Sequence, residues 1–128
     1  VQEFTLCNVV ITDNSHEVGN TIIFFHPWDP GTFNFSVHDC VIRCPSYVSS
    51  WYYGIDISPF RWSSTGGPAP VINFELKNTR FYNLGCGVGF NNSDPENIGT
   101  VVLDTDCYFF SNVDYKVYDW GSHTEHCP

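Results

Sequence analysis

The chain has 128 residues, 42% of them hydrophobic and 17% aromatic, which is the length of a single domain and excludes a disordered composition. Five Lys and Arg stand against 14 Asp and Glu, a formal net charge of -9, so a nucleic-acid backbone or an anionic membrane surface would be repelled. No apolar run approaches the ~20 residues that span a bilayer.

Helix signals are almost missing. No stretch carries apolar positions at i, i+3, i+4 and i+7 behind a cap. Eight Pro and ten Gly cut the chain into short pieces. The chain reads instead as short strands. The first segment is Phe4-Leu6-Asn8-Ile11. Its pattern is apolar, any, apolar, any, small polar, any, any, apolar. It returns at Phe35-Val37-Asp39-Ile42, Phe74-Leu76-Asn78-Phe81 and Val101-Leu103-Thr105-Tyr108. The alternation is that of a strand. The polar residue falls where the chain should bend, and Asn and Asp suit a bend because they tolerate left-handed backbone. Each copy is followed by a second short strand: Ile22–Phe24, Ile55–Ile57, Val88–Phe90 and a looser one near Val117. Copies starting at 4, 35, 74 and 101 give steps of 31, 39 and 27 residues, and the variation falls in the connecting loops.

Strands of constant pattern joined by loops of variable length point to a parallel β-helix, in which each repeat is one coil. On these segments the sequence resembles the right-handed parallel β-helix, or pectate-lyase-like, superfamily, from Phe4 to about Trp120. The resemblance implies an all-β, single-domain β-solenoid of about four coils over residues 1–128. It also implies an inward polar ladder at the bend, which Asn8, Asp39 and Asn78 match and from which Thr105 departs. An antiparallel sandwich is the competing architecture. Against it, the polar residue recurs at one phase, and no Asn-Gly or Asp-Gly hairpin turn is present.

Six cysteines, Cys7, Cys40, Cys44, Cys86, Cys107 and Cys127, contain no CxxC pair. An even count in a short chain is expected to form three disulfides in an oxidising compartment, with the pairing left open. The alternation places Cys7 and Cys40 on the outside. Sequons at Asn34 and Asn91 add the expectation of a secreted glycoprotein. Val1 and the lack of an apolar leader read as a processed chain or as a piece of a longer one.

Enzymes of the resembled family act on polysaccharides through clustered Asp residues. The candidates here are Asp104, Asp106, Asp56 and Asp114. In the alignment above, Lys77 and Thr79 stand beside Asp104 and Asp106, so no second acidic pair stacks on the first, and no catalytic residue is assigned. The Asn91–Glu96 loop lacks EF-hand spacing. His123, Glu125, His126 and Cys127 cluster, but Cys127 is more simply half of a disulfide. No metal or cofactor is therefore assigned. Trp28, Trp51, Tyr52, Tyr53, Phe60 and Trp62 fall off the inward pattern and are candidates for glycan or protein contact. No amphipathic capping helix is found at either end. Open ends invite end-to-end stacking into a filament. The expected function is an extracellular structural subunit that self-associates; the alternative is a carbohydrate-active domain.

Overall fold

The computed structural model describes residues 2–15, 17, 19–27, 31–57, 70–90, 100–119 and 124–126; at 90, 100–112, 115–119 and 124–126 it describes the backbone alone. The described residues form nine strands: β1 (Gln2–Cys7), β2 (Val10–Thr12), β3 (Thr21–Phe25), β4 (Thr32–His38), β5 (Val41–Arg43), β6 (Tyr53–Ile57), β7 (Val71–Phe90), β8 (Thr100–Asp119) and β9 (Thr124–His126). No helix occurs among the described residues, so none is long and apolar enough to cross a membrane. Every strand pairing is parallel. An antiparallel sandwich is thereby excluded.

The strands fall into three rows. The first row holds β1, β4, the start of β7, the start of β8, and β9. The second holds β2, β5 and the middles of β7 and β8. The third holds β3, β6 and the ends of β7 and β8. The result is a parallel sheet that curls on itself, a shape compatible with a β-solenoid.

The bends follow from left-handed residues. Asn8, Asp39, Asn78 and Asn83 have φ of 57°, 55°, 44° and 57°. The first three are the bend residues expected from the repeat; Asn83 makes a further bend inside β7. Their side chains correct one expectation. Asn8, Asp39 and Asn78 are exposed, not inward, and Asn78 Nδ2 donates to Asp39 Oδ1 at 2.6 Å on the outside. The reason is parity. Val37 and Ile42 are both buried, as are Leu76 and Phe81, and an odd spacing breaks strict alternation. The left-handed residue absorbs the odd step and turns outward itself. The next residue then points inward, so Cys40 is 1% exposed rather than outward.

Two registers also differ from expectation. Phe74 pairs with Leu103 and Leu76 with Thr105. The fourth copy is therefore shifted by two residues, and Cys107, not Thr105, falls at the Asn78 position. A slip of two leaves every side chain on its own face, so alternation does not reveal it. In the third row Ile23 and Phe25 pair with Ile55 and Ile57, one residue later than Ile22–Phe24. Phe24 is accordingly exposed.

Burial in the first row deepens with each pass: Phe4 is 44% exposed, its partner Phe35 5%, and Phe74 1%. Phe35 and Phe74 stack with ring centroids 5.3 Å apart. Phe25 of the third row lies flat on Phe35 at 4.5 Å and meets Phe4 edge-on at 5.3 Å. The third row thus packs on the first through aromatic rings. Each fully buried ring contributes about 1.5–3 kcal/mol.

The expected disulfides are not found among Cys7, Cys40 and Cys44, which are free thiols. Register explains this. The row neighbours of Cys40 are Val9 and Thr79, that of Cys7 is His38, and those of Cys44 are Asp13 and Asn83. No second cysteine is in reach along the row. Cys40 instead donates to the His38 carbonyl at 3.1 Å, as Thr79 at the same position donates to the Lys77 carbonyl at 2.9 Å. Cys86 donates to the Val88 carbonyl at 3.2 Å. The side chain of Cys107, and Cys127 altogether, lie outside the described residues.

Candidate functional site

The outer face of the first row gathers polar side chains because strand alternation sends every second residue there. Three lines cross the strands. Glu3, Asn34 and Asn73 form one; Thr5, Ser36 and Glu75 form the next; Cys7, His38 and Lys77 form the third. Neighbours in a line sit on strands about 4.8 Å apart. Asn73 Nδ2 donates to Asn34 Oδ1 at 2.9 Å. His38 Nε2 lies 2.6 Å from Glu75 Oε1, and Lys77 Nζ lies 3.4 Å from Glu75 Oε2. Glu75 is thus held between an imidazole and an ammonium. Beside it runs a groove of about 430 Å³ lined by Glu3, Thr5, Asn34, Ser36, Asn73 and Glu75. Carboxylates, carboxamides and hydroxyls offer both donors and acceptors to a polar ligand.

The corrected register changes what stands beside the acidic candidates. Asp104 pairs with Glu75 and Asp106 with Lys77, where the repeat as first aligned placed Lys77 and Thr79. An acidic pair does therefore meet across adjacent strands in backbone register. The other two candidates lie elsewhere. Asp56 belongs to the third row, beside Phe24 and Gly89. Asp114 follows the second row and accepts from Tyr47 Oη at 2.5 Å. Glu125 and His126 pair in β9 with Leu103 and Asp104. His123, Asn91 and the Asn91–Glu96 loop lie outside the described residues. Among the described residues no three His, Cys, Asp or Glu gather into a metal site. The Asn34 sequon sits mid-strand in β4, its carboxamide oxygen engaged by Asn73.

A second polar cluster was not visible in the sequence. Tyr52 is fully buried. Its hydroxyl donates to Asp13 Oδ2 at 2.5 Å and lies 2.6 Å from Ser15 Oγ. Asn20 Nδ2 donates to Asp13 Oδ2 at 3.0 Å. The Tyr52 hydrogen bond is the main reason the Asp13 carboxyl titrates below its ordinary value. Burial, then the Asp13 bond, pushes the Tyr52 phenol up. Burial, then the Asp13 charge, pushes the Cys44 thiol up. The cluster ties two loops together and keeps Cys44 protonated. Tyr52 is thus a core residue, while Trp51 is exposed and Tyr53 half-buried. Trp28, Phe60 and Trp62 lie outside the described residues.

Neither a protein-family model, nor a curated protein, nor a solved structure matches the chain.

Proposed function

We propose that the chain is a β-solenoid module of about four coils, extracellular and glycosylated, that assembles end to end through the face of its first pass. The observation that carries this reading is the unfinished first layer. Among the described residues, β1 and β2 each pair on one side only, with β4 and β5, and β3 pairs only with β6. Of the layer's inward residues, Phe4 is 44% exposed and Leu6 and Ile11 are only half-buried. Their partners one layer in, Phe35, Val37 and Ile42, are buried. Half-covered apolar rows beside an unpaired strand edge favour another strand layer. A head-to-tail contact of this kind propagates into a filament. Sedimentation velocity and electron microscopy test it across protein concentration. Growing, regularly spaced particles are expected, and Phe4→Lys, in the half-covered inward row, should disperse them. Monodisperse monomers at the highest concentration would sink the proposal. The extracellular placement rests on the two sequons and the even cysteine count. A mass shift on glycosidase treatment of secreted protein tests it.

A second reading, a carbohydrate-active domain, is favoured by the first-row groove and by the Glu75–Asp104 register. Depolymerisation of acidic polysaccharide, lost in Glu75→Gln, would support it over the structural reading.

A further inference from the structure

The outer face of the second row holds a groove that neither reading uses. It encloses about 530 Å³ and is lined by Thr12, Arg43, Arg80 and Tyr82, with Val41 and Pro45 among its apolar residues. The chain has only five Lys and Arg in all, against a net charge of -9. Two of those five therefore line one groove.

The register sets their spacing. Arg43 pairs with Tyr82, and Val41 with Arg80. The arginines are thus diagonal neighbours on adjacent strands, with Cα atoms on the order of 8 Å apart from one strand spacing and two residues of rise. Arg43 is held in place, since its Nε donates to Thr12 Oγ1 at 3.0 Å. That bond uses one of the five guanidinium N–H donors and leaves the others for a ligand. Asn83, in left-handed backbone, donates to the Cys44 carbonyl at 2.9 Å and fixes the bend at the groove's edge.

Guanidinium groups bind carboxylates through two parallel hydrogen bonds. In an extended peptide, side chains at i and i+2 share a face and lie about 6.8 Å apart, close to the arginine spacing. Val41, Pro45 and the Tyr82 ring give aliphatic side-chain stems a surface to cover. A sugar ring would find fewer carboxamides and hydroxyls here than in the first-row groove. We propose that this groove binds an extended acidic peptide, with Arg43 and Arg80 each taking one of two alternate carboxylates.

The test is fluorescence anisotropy of a labelled Glu-Val-Glu-Val-Glu peptide titrated with the full chain. Saturable binding that weakens with added salt is expected. Arg43→Gln and Arg80→Gln should each weaken it about tenfold, with little change in melting temperature because both side chains are exposed and surface polar pairs contribute little to stability. The Lys-Val-Lys-Val-Lys peptide, which needs no change to the protein, should not bind. Absence of acidic-peptide binding, or binding indifferent to both substitutions, would overturn the proposal. Displacement by equimolar inorganic phosphate, or by oligogalacturonate at lower concentration than peptide, would also overturn it. The first outcome would mark a small-anion site and the second a saccharide site.

Discussion

Replacing Tyr52 by Phe removes one oxygen from a side chain with no solvent exposure. The ring stays, so packing changes little. The lost hydroxyl is the donor to Asp13 at 2.5 Å and the partner of Ser15 at 2.6 Å. A hydrogen bond to a charged group contributes about 1.5–3 kcal/mol. Asp13 is half-buried, so solvent screening favours the lower end, about 1.5 kcal/mol at pH 7. The pH dependence has a definite sign. A carboxyl whose folded pKa is lowered adds stability above its unfolded value. The group loses that contribution as pH falls through the folded value. Asp13 is such a group, chiefly because of Tyr52. Tyr52→Phe should therefore cost about 1.5 kcal/mol at pH 7 and distinctly less near pH 2.5. Urea unfolding followed by tryptophan fluorescence measures both, compared at equal m. An equal cost at the two pH values, or none at pH 7, would refute the role given to this network.

Other substitutions probe the packing. Gly85→Ala would place a methyl group 2.3 Å from the Ser50 backbone carbon and oxygen; the backbone cannot yield cheaply, so a loss above about 3 kcal/mol is expected in thermal melts. Phe74→Ala should cost about 3–5 kcal/mol in denaturant titration. Phe4→Ala, at 44% exposure, should cost well under half as much, and equal costs would contradict the burial gradient. In the native protein iodoacetamide should label Cys7 and spare Cys40 and Cys44 until unfolding, because Cys7 is exposed and the other two are buried. Peptide mapping reads this directly, and a Cys7 protected until reduction would restore the disulfide reading.

The parallel, curled architecture was legible because each copy carries an odd-length break at a residue able to turn left-handed. Asn8, Asp39 and Asn78 do occupy that backbone. Their outward direction was not legible, since a bend residue belongs to neither face. The fourth copy was misplaced by two residues because period-two patterning is blind to an even slip. Thr21–Phe25 is mostly apolar, so its phase could not be read from hydropathy at all. The acidic neighbours Glu75 and Asp104 were hidden behind that slip, and the Arg43–Arg80 groove behind the sequence distance between its strands. Cysteine counting does not separate the roles of single cysteines: Cys40 does the work of Thr79, closing a bend onto a carbonyl. Tyr52 looked like a loop aromatic because its partner Asp13 lies 39 residues away.

The open side of β1 decides between an isolated domain and an assembling one. Amide hydrogen exchange, measured over a hundredfold range of protein concentration, reads it most directly. If a further strand layer is added there, the amides of Gln2–Cys7 and Val10–Thr12 slow as concentration rises. Those of residues 71–77, already paired on both sides, stay constant. Exchange in β1 and β2 that is the same at every concentration would contradict end-to-end assembly.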